Sequence, residues 1–186
     1  MYSSIPLHCS PFELAAAFHN RTPFAFLDSS RNDGSQGRYS ILAWEPEAVF
    51  RTKGEDPFPA LERLLRQGIG AGAIGYFGYD LFRFLEQYDR SLPVDDLGLP
   101  DCCLAVYDTI ATFDHRTQSW TLESTSQEHL ERRWAEIERW RTNPVAARSM
   151  ECDAGPPESN MTRPQYVDRV RHALEYIAAG DIYQVN

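Results

Sequence analysis

The sequence predicts a mixed α+β fold, mainly antiparallel sheets packed with helices. Three observations carry this. Short apolar, strand-like runs are separated by single helical patterns, residues 104–122 have the form of a hairpin, and strand and helix do not alternate regularly as a parallel βαβ series requires. At 186 residues and 42% hydrophobic content, the chain is long enough for one substantial core, or for one domain plus part of another.

Taken in order, Ser10-Pro11-Phe12-Glu13 is a capping box with proline at the first helical position, so a short helix is expected over residues 11–19. Pro23 to Leu27 is a buried strand that opens into the polar Asp28-Ser29-Ser30 and the turn-rich Arg31 to Ser35. Gly37 to Trp44 is the next strand, closed by Glu45-Pro46. Asp56-Pro57 starts a helix with Leu61, Leu64 and Leu65 on one face, and Gly68 ends it. Leu104 to Phe113 reads as one long strand that turns at Asp114-His115-Arg116-Thr117 into Ser119 to Leu122. Thr125-Ser126-Gln127-Glu128 caps a further helix, with Leu130, Trp134, Ile137 and Trp140 on its apolar stripe. Its charges read as a solvated face, with Glu128 and Arg132 placed for an i,i+4 pair. Residues 1–145 therefore form one domain and 146–159, rich in proline and glycine, a linker. From 160 a second domain begins: Thr162 and Gln165 form a capping box, Tyr166, Val170, Ala173, Leu174 and Ile177 form one stripe, Gly180 stops the helix, and a strand is expected from about Asp181.

A net charge of −9 and a pI near 5.0 argue against a protein that works by neutralising nucleic-acid phosphates or lipid headgroups. No basic, apolar leader opens the chain, and no run approaches the roughly 18 apolar residues of a membrane span. A cytoplasmic location is expected. The four cysteines, Cys9, Cys102, Cys103 and Cys152, form no CxxC and read as reduced core thiols.

Gly70-Ala71-Gly72-Ala73-Ile74-Gly75 is a formal GxGxxG with Asp95 and Asp96 about 20 residues beyond it. A dinucleotide fingerprint needs a strand before the glycines and a helix after them. Here a helix precedes, so the glycines are read as close-packing positions in a strand. The five histidines have no partner at zinc-ligand spacing, and no GxSxG elbow is present, so neither a metal site nor a nucleophile is assigned. Two stretches carry more. If the strand ends at Asp28-Ser29-Ser30 and Arg38-Tyr39-Ser40 are neighbours, hydroxyls and a guanidinium converge where a small carboxylate can bind. Strand alternation at the end of the chain groups Ile182, Gln184 and Asn186 on one face.

The ordered set FAFLDSS, GRYSILAWEP, GAIGYFGYDL, LPDCCLAVYDTIATFDH and SNMTRPQYVDRVRHALEYIAAGDIYQVN resembles the N-terminal part of component I of the chorismate-utilising enzymes, the large subunits of anthranilate and aminodeoxychorismate synthases. The LDSS at residues 27–30 stands where tryptophan-sensitive anthranilate synthases carry an LLES-like sequence, and so points to the aminodeoxychorismate branch. The resemblance implies an anthranilate synthase component I-like fold whose C-terminal half is missing, and a transferase of folate biosynthesis. That enzyme aminates chorismate with ammonia from a glutamine amidotransferase partner, towards p-aminobenzoate, with magnesium on the substrate. The magnesium ligands and catalytic residues of the family lie in motifs beyond residue 186, so no catalytic or metal residue is placed here and the chain alone is expected to be inactive.

The resemblance also implies an amino-acid pocket of the tryptophan-binding type, bordered by Ser29, Arg38, Tyr39 and Ser40, in which Asp28 replaces the glutamate or histidine of relatives and weakens feedback inhibition. Two other readings stand beside this one: anthranilate synthase component I, and a free-standing, non-catalytic amino-acid-binding module. The ending on Val185-Asn186 within a strand pattern favours a truncated enzyme over a finished module, with a sheet edge prone to self-association.

Overall fold

The computed structural model describes residues 1–29, 36–87, 95, 97–143 and 155–185. They fall into two compact units, Met1–Ala147 and Arg148–Asn186. The first contains β1 (Tyr2–Ile5), α1 (Pro11–Phe18), β2 (Phe24–Leu27), β3 (Tyr39–Trp44), β4 (Ala48–Thr52), α2 (Phe58–Gln67), β5 (Gly72–Phe77), a 3-10 turn (Tyr79–Phe84), β6 (Cys102–Tyr107), β7 (Thr109–Asp114), β8 (Ser119–Ser124) and α3 (Gln127–Thr142). The second contains α4 (Arg163–Ala179). Two antiparallel sheets result, a five-stranded one ordered β1-β8-β7-β3-β2 and a three-stranded one ordered β4-β6-β5. This is the α+β arrangement expected.

The main core lies between one face of the larger sheet and helices α1 and α3. Leu42 and Trp44 of β3, Ala111 and Phe113 of β7 and Trp120 and Leu122 of β8 meet Leu14, Phe18 and Ile137 there. Alternation along each strand dictates this set. Phe18 stacks on Trp44 with centroids 4.3 Å apart. The capping box of α1 forms as expected, Ser10 and Glu13 each accepting from the other's backbone amide,.

The apolar run 104–113 departs from its expected single strand. It divides at Asp108: β6 pairs with β4 and β5, while β7 pairs with β3 and β8. Pairing register decides the break, because neither sheet has partners for the whole run. Two further strands have no counterpart among the expected elements. β1 pairs with β8 at the sheet edge, and β4 pairs with β6; both are short segments without a regular alternation of apolar and polar residues, so pairing is what establishes them.

The glycine-rich stretch is strand β5, as its context required. A Cβ at Gly75 would collide with the Cys103 carbonyl and one at Gly70, where φ is +62°, with that of Tyr107. Asp95 pairs with Lys53 and accepts from the Gly98 amide; Asp96 lies outside the described residues. Cys9, Cys102 and Cys103 are free thiols, and Cys152 lies outside the described residues. Burial pushes the Cys9 thiol up to about 11.

Helix α2 buries Leu61 but leaves Leu65 exposed, since only part of its expected stripe faces β-sheet. The Ser126 side chain, not Thr125, caps α3. Its charges are not merely a solvated face: Arg133 is 2% exposed, and Arg132 turns to Asp108 instead of pairing with Glu128. In the second unit α4 has its capping box and a left-handed Gly180 cap with φ 81°. No residue of α4 is buried. Residues 181–185 do not form the expected strand, because among the described residues nothing pairs with them. Asn186 and residues 146–154 of the expected linker lie outside the described residues. No helix of the described residues is long and apolar enough to cross a membrane.

Candidate functional site

Three strand ends meet at one rim of the larger sheet. Leu27 at the end of β2 is opposite Ile41, and Ser40 and Tyr39 at the start of β3 are opposite Phe113 and Asp114 at the end of β7. This register sets Asp28-Ser29 on one side of Ser40 and Asp114-His115 on the other, although the latter pair is some 75 residues away in sequence. The two polar stretches are therefore neighbours.

Ser40 is the centre of the rim and wholly buried. Its hydroxyl donates to Asp28 Oδ1 at 2.8 Å and accepts from the Ser29 amide at 3.2 Å. His115 Nε2 lies 2.6 Å from the same oxygen. A hydroxyl has one proton, and an ionised carboxylate only accepts, so that proton goes to Asp28. His115 is then the Nε2–H tautomer, donating to Ser40. The serine, histidine and aspartate together resemble a triad in composition alone. Ser40 gives its proton to the acid and not to the imidazole, so it is not an activated nucleophile. The imidazole ring is further held edge-on to Phe113, centroids 5.0 Å apart.

Arg38 faces away from this cluster. Its Nε and Nη2 donate to Asp114 Oδ2 at 3.1 and 2.6 Å, and its guanidinium lies 4.7 Å from the centroid of the Tyr39 ring. Asp114 Oδ1 accepts from the amides of Arg116 and Thr117 in the β7–β8 turn. These bonds, first that from Arg38, hold the Asp114 carboxyl down at about 2. The expected carboxylate-binding fork is thus largely occupied by Asp114. Among the described residues neither the Ser29 hydroxyl nor that of exposed Tyr39 has a hydrogen-bond partner. The sequence does not single out His115 and Asp114 as site residues; the signal it offers is an Asp-His pair closing an apolar strand.

A second polar cluster joins α3 to the β3–β4 turn. Arg133 donates to the carbonyls of Trp44 and Glu45, each at 3.0 Å, and to the carboxylates of Glu45 and Glu136 at 3.1 and 3.2 Å. Burial pushes Glu45 up, but its bonds to Arg21 and Arg133 outweigh that and leave its pKa lowered. Glu47, Asp108 and His129 bring three potential ligand atoms within 4.8 Å of one another. They do not suit magnesium: buried Asp108 is committed to Arg132 and faces Arg133 Nε at 3.6 Å, so a cation there meets two guanidinium groups.

A family model described as chorismate binding enzyme matches residues 22–186. The chain is 29% identical over 191 residues to aminodeoxychorismate synthase component 1 of Escherichia coli strain K12, covering 88% of this chain and 41% of that protein. It is 35% identical over 191 residues to aminodeoxychorismate synthase component 1 of Klebsiella aerogenes, with coverage of 88% and 41%. It is 33% identical over 190 residues to anthranilate synthase component 1 of Thermus thermophilus, with coverage of 89% and 41%. The chain thus spans about two fifths of the length of these relatives. In fold it is similar to the crystal structure of anthranilate synthase component I from Streptococcus pneumoniae TIGR4, with a TM-score of 0.57, 23% identity, and coverage of 96% of this chain and 46% of that one.

Proposed function

The chain belongs to the family of chorismate binding enzymes, and from that premise we propose that residues 1–186 are the N-terminal portion of an aminodeoxychorismate synthase component I. In this reading the whole enzyme aminates chorismate at the carbon bearing the 4-hydroxyl, using ammonia released by a glutamine amidotransferase partner, and feeds p-aminobenzoate and folate synthesis in the cytoplasm. Magnesium in that enzyme is held by residues outside these 186, in keeping with the poor fit of Glu47, Asp108 and His129. The part proposed for this chain is to shape the sheet core and to border an amino-acid pocket at Ser29, Arg38, Tyr39 and Ser40, with tryptophan as its ligand type.

The observation that carries the choice of branch is Asp28. It stands where tryptophan-inhibited relatives of the resemblance have a longer acid, and its carboxylate is engaged by the buried Ser40 hydroxyl at 2.8 Å. A carboxylate bound in this way is a weak receptor for a feedback inhibitor. The similarity to anthranilate synthase component 1 of Thermus thermophilus, at 33% identity, favours the second reading, amination at a different ring carbon with loss of pyruvate.

The test is product identity. The protein encoded by the gene that carries these residues, incubated with chorismate, ammonium and magnesium, is expected to yield 4-amino-4-deoxychorismate by mass spectrometry. Fluorescent anthranilate instead assigns the other branch. Residues 1–186 alone are expected to give neither product, and turnover by them overturns that expectation.

A further inference from the structure

We propose that His115 is the positioning residue of this rim: by donating from Nε2 to the Ser40 hydroxyl it fixes, through that single oxygen, the Ser29 amide and the Asp28 carboxylate, and so sets the backbone position from which Ser29 meets an amino-acid ligand. The ligand half of this statement rests on the amino-acid pocket proposed above; the positioning half stands on geometry alone.

Hydrogen-bond accounting at one oxygen supports the positioning half. Ser40 Oγ has three neighbours, at 2.6 Å (His115 Nε2), 2.8 Å (Asp28 Oδ1) and 3.2 Å (Ser29 N). One proton and two lone pairs serve three bonds without remainder. The oxygen is wholly buried, so water cannot replace a missing member, and loss of any one donor leaves the others free to rearrange. Asp28-Ser29 follows the last paired residue of β2, Leu27, and the Ser40 oxygen is what tethers the Ser29 backbone beyond that point. His115 is itself fixed from three sides. Its amide donates to the Arg38 carbonyl at 2.8 Å, its carbonyl accepts from Gln118 Nε2 at 2.7 Å, and its ring meets Phe113 edge-on. A histidine exposed in a turn needs none of this. The turn after β7 thereby reaches across β3 to set the backbone after β2.

Nuclear magnetic resonance on residues 1–186 separates the two halves. Ring nitrogen shifts are expected to show His115 as the Nε2–H tautomer, and the Ser29 amide is expected to exchange slowly with solvent. H115A should speed exchange of the Ser29 amide about tenfold or more while leaving amides of the β1–β8 pair unchanged. H115Q, whose amide nitrogen reaches the position of Nε2, should restore most of the protection. An Nδ1–H tautomer, unchanged Ser29 exchange in H115A, or failure of H115Q to rescue overturns the positioning role. Titration with L-tryptophan should move the Ser29 and Tyr39 amide signals. It should require about tenfold more ligand in H115A, and produce no shift at Ser29 in S29A. If tryptophan moves nothing in the unmodified chain, the pocket reading falls, whatever the exchange data say of His115.

Discussion

Arg133 and Arg38 are both arginines bound to carboxylates, yet the two clusters do different things. Around Arg133 the guanidinium is 2% exposed and is divided among two carbonyls and two carboxylates that come from the β3–β4 turn and from α3 itself. The guanidinium itself is shut off from water, so it depends on these acceptors, and the cluster acts as a joint between helix and sheet. Around Arg38 the guanidinium reaches solvent and meets one carboxylate, Asp114. The member that cannot reach water at that rim is neutral: Ser40. Burial, not charge, decides which atom of a polar cluster the fold depends on.

Substitutions can break this comparison, and the largest effect is expected at the buried arginine. R133A leaves Glu136 without its cation, Glu45 and Asp108 with only Arg21 and Arg132, and the Trp44 and Glu45 carbonyls without their buried donor, which should cost about 3–5 kcal/mol, read as a lower midpoint in urea unfolding. A loss under about 1 kcal/mol would mean that the cluster does not join helix to sheet. D108N is expected to come next, at about 1–3 kcal/mol, because it weakens the bond to Arg132 and removes the charge that faces Arg133 while keeping the side chain's shape. S40A follows at about 1 kcal/mol: the Ser29 amide loses its partner, whereas Asp28 can turn to water. R38Q should change the melting temperature at neutral pH least of all. That small effect is fullest above the ordinary carboxylate range and disappears in acid. Asp114 has a depressed pKa, near 2, so its contribution is complete above the ordinary carboxylate range and is lost as pH falls through that low value. With the guanidinium gone, the turn amides alone hold the carboxylate, so the acid loss should be smaller and the two chains should converge in stability as pH falls. Melting temperatures between about pH 2 and 5 read this directly, and identical acid limbs for R38Q and the unmodified chain would show that Arg38 is not the cause.

Local signals in the sequence make much of the fold legible. Ser10 and Glu13 announce α1, Thr162 and Gln165 announce α4, and a helix before Gly70 rules out a nucleotide loop. Proximity of Asp28-Ser29 to Arg38-Ser40 follows from two adjacent strands. What the sequence hides depends on distant pairing. β1 and β4 are short and lack a regular alternation, and they become strands because β8 and β6 offer them hydrogen bonds. Arg133 sits in a charge-rich helix, where composition suggests solvent, and only the packing of α3 against Trp44 reveals that it is inside. His115 reads as a turn residue because its partner lies 75 positions earlier.

At Asp108 the set of positions that feeds the small cluster changes parity. Along an unbroken strand Tyr107 and Ile110 would point to opposite sides, since they are three residues apart. Here both belong to one small cluster with Ala43, Ala105 and Ile74. For this cluster the transfer of the chain from one sheet to the other acts as a phase shift of half a period, from odd-numbered Ala105 and Tyr107 to even-numbered Ile110, while Ala111 and Phe113 serve the main core on the other face. A single-residue insertion beside Asp108 would reset that phase and send one strand's apolar side chains outward, while leaving the local hydrophobicity of the segment almost untouched.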